Sequence, residues 1–294
     1  MPYEVDWVDA FTDRPFGGNG CAVVYDAAGM NADLCMAVVR ETGLSECTFL
    51  GPSDVADVAV RYYLAGKELP FAGHPTVATA ASMADRGLID GGQVRFETKA
   101  GVIPVEVAAD SAGVPMVTMV QNRPEFGAVI DAATVAAVGG ISAEDILGEP
   151  RLVSTGARHC IAILKDKAVL RRVRLDIEAL ARFNAAAGLA GPAMTEPFWV
   201  TLDGATSDGH TFSRLLLPPP MPAEDPFTGS ATGEMAAYLW AEGYLNEQKF
   251  VAEQGHWMDR PGRAEVEVLG PRDDISGIRV GGQGYVLMRG YLNL

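Results

Sequence analysis

One stretch of this chain occurs twice, and that duplication constrains the fold more than any other feature. The first copy covers residues 68–87, ELPFAGHPTVATAASMADRG, and the second covers residues 224–243, EDPFTGSATGEMAAYLWAEG. Aligned without a gap, the copies are identical at eight of twenty positions. The sequence therefore predicts two related halves, each built around its own copy, in a chain long enough for two domains of ordinary size.

Each copy predicts a buried helix with an open N-terminus. A Pro-Phe turn leads to Gly-Xaa-Xaa-Thr, and an Ala-rich segment then runs to a closing glycine, Gly87 or Gly243. The first N–H groups of a helix lack intrahelical partners and lie at the positive end of its dipole, so such a start can hold an anion. We expect one small anionic ligand to lie between the halves. The alternative is a pair of capped core helices left by an old duplication that has no site.

Composition and charge exclude several classes of partner. The residues are 48% hydrophobic, as in a globular protein, and the formal net charge of −15 argues against nucleic acid or an anionic membrane surface as a partner. The four cysteines form no CxxC pair, and neither a secretory signal nor a membrane-spanning run is found, so we expect reduced thiols in a cytoplasmic protein. The four histidines are far apart in sequence, and no metal site is predicted.

The predicted elements have a similar order in both halves, namely many strands with one long helix in the middle. We expect an α/β (α+β) fold of two similar halves, each a curved mixed sheet around its central helix. The first half is predicted to comprise residues 1–121 and 282–294 and the second residues 122–281, with the active site in the cleft between them. Other predictions are a helix over residues 31–43, bounded by asparagine and glycine, and two separate strands at residues 278–281 and 284–292.

Three side chains are candidates for acid–base chemistry. Glu46 lies in LSECTFL, an otherwise apolar strand, where burial would suit its carboxyl to passing a proton near neutral pH; an outward-facing residue in water is an equal alternative. His74 at the first helix start is able to donate to an anion or to shuttle a proton, or it only caps the helix. Asp225 before the second helix is able to orient a ligand amine or a histidine, or it is an ordinary turn residue.

The candidate binding residues follow from the two helix openings. One of these residues is Ser230, for which a plain helix cap is the alternative explanation. The set is Gly73, Pro75, Gly229, Ser230 and Ala231. Weaker candidates are His159 and Arg61 as lining residues, and Arg260 and Arg263 after Gln254 as sources of a cation.

The longer motifs resemble those of the phenazine-biosynthesis PhzF-like proteins. They are FTDRPFGGNGCAVV, LSECTFL, AGHPTVATA and EDPFTGSATGEMAAYLW, followed by a late EQG and RPGR. The resemblance spans nearly the whole chain, and GHPT followed by EDPFTGSA is the most specific part. It implies a fold like that of diaminopimelate epimerase, a homodimer, and chemistry that needs no cofactor or metal.

The resemblance also implies an activity and assigns roles to residues. The best-understood activity in that family is the isomerisation of trans-2,3-dihydro-3-hydroxyanthranilate, in which a glutamate moves a proton between carbons. The matching positions in this chain are Glu46, His74, Asp225 and Ser230. We therefore expect an isomerase that acts on a small anionic amino or hydroxy cyclic carboxylate.

Two positions depart from the family pattern, and two other functions stay open. Gly20 stands where a proline or glutamine often follows Gly-Asn, and Thr232 stands where a histidine often follows Gly-Ser-Ala. An amino-acid epimerase or racemase on the same fold is the first alternative; its thiol versions need two cysteines at the helix starts, where this chain has His74 and Ser230. A non-catalytic protein that binds a small molecule is the second.

Overall fold

The chain folds into two compact units. The computed structural model describes residues 2–89, 91–109 and 114–294. Unit 1 comprises the residues up to Val120 together with Asp259–Gly262 and Gly281–Leu294, and unit 2 comprises Gln121–Met258 and Arg263–Val280.

Unit 1 is a mixed sheet with two helices. The strands are β1 Tyr3–Ala10, β2 Asn19–Val24, β3 Glu46–Gly51, β4 Val58–Tyr63, β5 Glu68–Leu69, β6 Gly92–Thr98, β7 Gly101–Ala109 and β8 Pro115–Gln121, and the helices are α1 Ala32–Thr42 and α2 Gly73–Asp85. Strand β1 pairs antiparallel with β2, β2 parallel with β3, and β3 antiparallel with β4. Strand β4 then pairs antiparallel with β5 and parallel with β6, which continues antiparallel into β7 and β8.

Unit 2 repeats this order of pairings. Its strands are β9 Glu125–Val129, β10 Ile146–Ser154, β11 His159–Leu164, β12 Pro197–Thr201, β13 Thr211–Leu216, β14 Glu224–Asp225, β15 Lys249–Gln254 and β16 Gly262–Leu269, and its helices are α3 Ala132–Gly139, α4 Lys167–Arg172, α5 Ile177–Ala186 and α6 Gly229–Ala241. Strand β10 pairs antiparallel with β11, β11 parallel with β12, and β12 antiparallel with β13. Strand β13 then pairs antiparallel with β14 and parallel with β15. The predicted α+β class, with two similar halves, is confirmed.

The duplicated stretches form the central helix of each unit. In α2 every residue from His74 to Met83 is buried, and in α6 the residues from Ala231 to Leu239 are buried. Helices with so little solvent contact need small and apolar residues on all faces, which explains the alanine content of both copies. Neither helix has a side chain that caps its N-terminus, because the N-cap positions are Ala72 and Thr228 and neither makes such a bond.

The last strand differs from the sequence-based prediction. Residues 278–281 and 284–292 belong to one strand, β17 Gly277–Leu292, whose C-terminal part pairs antiparallel with β1. The glycines between them do not mark a turn. A Cβ atom on Gly282 would lie 2.3 Å from Phe11 Cδ1, and one on Gly284 would lie 2.3 Å from Ala81 Cβ. Glycine is therefore required here for close packing inside a strand.

A buried carboxylate and an arginine join the first strand of unit 1 to the C-terminal end of its central helix. Asp6 in β1 is inaccessible to solvent, and the Arg86 guanidinium after α2 donates to both of its oxygens, from Nε at 2.8 Å and from Nη2 at 2.7 Å. Ser82 Oγ donates to the same carboxylate at 2.7 Å. Burial alone would raise the pKa of Asp6, but the hydrogen bonds from Arg86 and Ser82 and the charge of Arg86 hold that pKa below its ordinary value.

Candidate active site

In unit 1 the structure brings Glu46 and His74 together. Glu46 is the first residue of β3, and His74 is the second residue of α2. Glu46 Oε2 lies 3.6 Å from His74 Nδ1, and the two side chains are only 18% and 7% exposed. The outward-facing alternative for Glu46 is therefore wrong, since most of its side chain is covered.

His74 is a buried, neutral imidazole. Its burial lowers its pKa to about 3. Asn19 Nδ2 lies 3.3 Å from His74 Nδ1, the same ring nitrogen that faces Glu46. Nε2 is buried and has no hydrogen-bond partner within the described part of the chain. The contact with Glu46 is accordingly not an ion pair, and the neutral ring does not oppose proton uptake by that carboxylate.

The neutral state of His74 predicts a flat titration. We expect the NMR signals of its imidazole to stay constant between about pH 8 and about pH 5. Because the unfolded residue takes up a proton near about pH 6.5, the stability that His74 contributes is fully present above that pH and is lost as the pH falls towards about 3. A peptide of residues 70–78 serves as the control that titrates normally. A folded-state midpoint close to that of the peptide would contradict the assignment.

In unit 2 a hydrogen-bonded network fixes Asp225. The Oδ2 atom of Asp225 accepts from Thr228 Oγ1 at 2.6 Å, and its backbone carbonyl accepts from Gln254 Nε2 at 2.7 Å. Gln254 Oε1 in turn accepts from the Thr228 N–H at 3.0 Å. All three side chains are buried. Asp225 is thus more than a turn residue, since the network holds it at the start of α6 in a fixed orientation.

The predicted binding residues all lie in the first turns of the two central helices. Gly73 and Pro75 lie with His74 in the first turn of α2, and Gly229, Ser230 and Ala231 form the first turn of α6. The cap interpretation of Ser230 is wrong, because the N-cap residue is Thr228 and Ser230 is the second residue of the helix. The hydroxyl of Ser230 is partly exposed and makes no hydrogen bond with the residues that the structure describes. N–H groups without intrahelical partners and a nearby hydroxyl suit an anionic group.

The two departures from the family pattern have different surroundings. The Thr232 hydroxyl donates to the Thr228 carbonyl at 2.9 Å, so it is used within the helix and adds no donor at the opening. Gly20 lies in β2 next to Asn19, where a Cβ atom would come within 3.1 Å of Leu44 Cδ2.

The weaker candidates are mostly structural. Arg61 donates to Glu68 and to the Met30 carbonyl, and Arg260 donates to Asp9 and to the carbonyls of the 17–18 turn. Arg263 pairs with Asp208. These guanidinium groups therefore hold loops and strands in place. His159 differs from them, because it contacts Glu234 of α6.

Sequence reasoning missed the residues that support these side chains. Asn19 and Gln121 carry no local signal, since their partners are 55 and 108 positions away, whereas Thr228 follows its partner Asp225 by three residues. Gln121 Nε2 donates to the Gly229 carbonyl at 2.8 Å, and Thr155 Oγ1 donates to Gln121 Oε1 at 2.6 Å.

The described residues form neither a metal-binding cluster nor a membrane-spanning helix. No group of three or more histidine, cysteine, aspartate or glutamate residues in the described ranges is arranged to hold a metal ion. Within the same ranges, no helix has the length and apolar character needed to cross a membrane.

Comparison with known proteins gives a consistent result. The phenazine biosynthesis-like protein family matches residues 8–290. An uncharacterized isomerase of Bacillus subtilis is 31% identical over 269 residues, which cover 90% of each chain. The trans-2,3-dihydro-3-hydroxyanthranilate isomerase of Pseudomonas chlororaphis is 29% identical over 290 residues, which cover 98% of each chain. The crystal structure of a PhzF-family protein of Bacillus anthracis superposes with a TM-score of 0.88 at 25% identity and full coverage of both chains.

These matches agree with a fold of two similar units. The fold is like that of diaminopimelate epimerase, as the resemblance implied. Relatives that match over almost the entire chain are named isomerases. The chain belongs to the phenazine biosynthesis-like protein family and is an isomerase.

Proposed function

We propose that this isomerase moves a proton between carbons of a small cyclic amino or hydroxy carboxylate, in the manner of trans-2,3-dihydro-3-hydroxyanthranilate isomerase, without a cofactor. The observation that carries the proposal is the largely buried Glu46 carboxyl at 3.6 Å from the neutral His74 imidazole. A carboxylate that is shielded from water and is not held in an ion pair by this neighbour is well suited to remove a C–H proton.

The other predicted residues have complementary roles in the proposal. N–H groups at a helix start, either that of α2 in unit 1 or that of α6 with its Ser230 hydroxyl in unit 2, bind the substrate carboxylate and stabilise negative charge as it develops. Asp225, fixed by Thr228 and Gln254, binds an amino or hydroxyl group of the same substrate. General acid–base assistance accelerates the reaction about 10²–10⁴-fold, and the positioning of the substrate supplies a further part of the acceleration.

The similarity to the trans-2,3-dihydro-3-hydroxyanthranilate isomerase of Pseudomonas chlororaphis suggests the first substrate to test. We expect incubation with trans-2,3-dihydro-3-hydroxyanthranilate or a related cyclic amino acid in D₂O to produce deuterium incorporation at carbon and movement of the double bond. Proton NMR measures both changes. Inversion of a stereocentre without movement of the double bond would instead identify an epimerase. A ligand that raises the melting temperature and exchanges no proton would identify a binding protein. Light scattering tests the homodimer that we propose for the assembled protein.

A further inference from the structure

Unit 2 contains a second imidazole–carboxylate contact, which the proposed function does not use. His159 Nδ1 lies 2.7 Å from Glu234 Oε2, and the two side chains are 12% and 0% exposed. The second oxygen of Glu234, Oε1, is buried without a hydrogen-bond partner among the described residues. A buried carboxylate in such a place needs a neighbouring cation, and His159 is the group in contact with it.

The charges around His159 favour its protonated form. Burial lowers the pKa of His159, but the contact with Glu234 on α6 and the charges of Glu196 before β12 and Asp225 on β14 more than offset it, so that the pKa is raised. Burial raises the pKa of Glu196 in turn, and the charge of His159 limits that rise. The two histidines are thus driven in opposite directions, since His74 stays neutral. Groups whose environments separate their pKa values in this way are typical of assigned acids and bases.

Equivalent elements make the histidine contact in both units. In unit 1 the first residue of β2, Asn19, contacts His74 of the central helix α2. In unit 2 the first residue of β11, His159, contacts Glu234 of the central helix α6. Strands β2 and β11 have the same pairings, antiparallel to the preceding strand and parallel to the next. The contact between strand start and central helix therefore carries polar side chains in each unit, although His74 is the second residue of its helix and Glu234 is the sixth.

We propose that His159 is a second proton-transferring residue of this isomerase, with Glu234 as the residue that positions it. The Nδ1–H donates to Glu234, while Nε2 makes no hydrogen bond within the described part of the chain and is the atom that exchanges the proton. The arrangement is that of a carboxylate that orients an imidazole and stabilises its protonated form. This inference rests on the proposed function, because it assigns a residue to that reaction.

The proposed step conserves protons and electrons. As the base of the reaction removes a C–H proton, the electron pair of the broken bond moves through the adjacent double bond to a second atom of the substrate. The Nε2–H of His159 gives its proton to that atom, where the electron pair forms the new bond to hydrogen. His159 becomes neutral and regains a proton from solvent, while the base releases the one that it took. No oxidant or other reactant is needed.

A role as an anion seat fits the surroundings less well. The carboxyl groups of Glu234, Glu196 and Asp225 all interact with His159, so the cluster holds more negative than positive charge when they are ionised. The positive charge of His159 is thus already balanced by neighbouring carboxyl groups and is not left over to hold a separate anion. Proton transfer is therefore the role that the charges favour.

The test compares two substitutions with a matched control, using the substrate that the wild-type enzyme turns over. For His159→Gln we expect a loss of about a hundredfold in kcat/KM. In Glu234→Gln the amide oxygen still accepts from His159 Nδ1, but the negative charge is gone. The pH at which kcat/KM falls on the basic side of the profile should therefore move down by about 1 unit, with little change in KM. His210→Gln is the control, because His210 is exposed and, among the described residues, forms hydrogen bonds only with the backbone of Val251.

Several outcomes would overturn the proposal. His159→Gln with wild-type kcat/KM rejects the role of His159 and leaves the proposed function standing, provided that Glu46→Gln is inactive. An unmoved pH profile in Glu234→Gln rejects the positioning role, even if the His159 variant folds poorly. An NMR titration of the wild-type protein in which the pKa of His159 is not above its ordinary value rejects the positioning role. A pKa of His159 that does not fall in Glu234→Gln rejects it as well. A wild-type protein that exchanges no proton with any substrate rejects the proposed function itself.

Discussion

Replacement of Glu46 by glutamine is expected to lower kcat/KM by roughly 10²–10⁴-fold, because an amide of the same shape cannot accept the substrate proton. The side chain is mostly covered and lies beside the neutral His74, so the substitution changes the chemistry of the carboxyl while its volume stays the same. The measurement is deuterium incorporation at carbon in D₂O, followed by NMR, with thermal melting to verify the fold.

A matched control is available in the same unit. Glu41 lies on the exposed face of α1, and we expect Glu41→Gln to retain wild-type kcat/KM. The two variants lose the same charge from the same unit, which removes the general effect of net charge from the comparison. Equal activity of the Glu46 and Glu41 variants would show that the reaction uses another base.

Replacement of Arg86 by methionine is expected to destabilise the protein by about 3–5 kcal/mol at neutral pH, since it leaves the fully buried Asp6 carboxylate without its main partner. The folded-state pKa of Asp6 lies below its unfolded value of 3.8, so this contribution is present above that value and is lost as the pH falls through the lowered pKa. The difference between variant and wild type should therefore be largest at neutral pH and shrink on acidification.

Urea denaturation of the two proteins over a pH series measures this difference. Arg289→Met is the control, because Arg289 is half-exposed and its Nε lies 3.6 Å from the same carboxylate; we expect a loss of less than about 1 kcal/mol. A gap between the Arg86 variant and wild type that is independent of pH would show that lost packing of the arginine stem, and not the charge of Asp6, is responsible.

Features that depend on neighbouring residues were predictable from the sequence. The helix over residues 31–43 was recognised from its ends, and the structure confirms both signals: Asn31 Oδ1 accepts from the Leu34 N–H, and Gly43 closes α1 with a φ of 66°. The duplicated stretch likewise revealed both central helices. These signals are local, because capping residues act within one helical turn.

Features that depend on distant residues were not predictable in the same way. His159 and Glu234 are 75 positions apart, and Asp6 and Arg86 are 80 positions apart, so no spacing rule connects them. The glycines of β17 were read as a break, since the need for close packing against Phe11 is invisible in the sequence. Helix α4 was missed because it has only six residues, although Asp166 caps it by accepting from the Val169 N–H. The resemblance to a family, and not residue spacing, assigned the roles of Glu46 and Asp225.

The uncapped starts of α2 and α6 have a consequence for how such a chain adapts to heat. A serine or aspartate in place of Ala72 would normally strengthen a helix by about 1 kcal/mol, by occupying N–H groups near its start. Those are the groups that the proposed reaction reserves for its substrate. Selection for thermal tolerance at this position would consequently oppose selection for turnover, and heat-adapted members of such a lineage should gain their extra stability elsewhere in the sheets and loops.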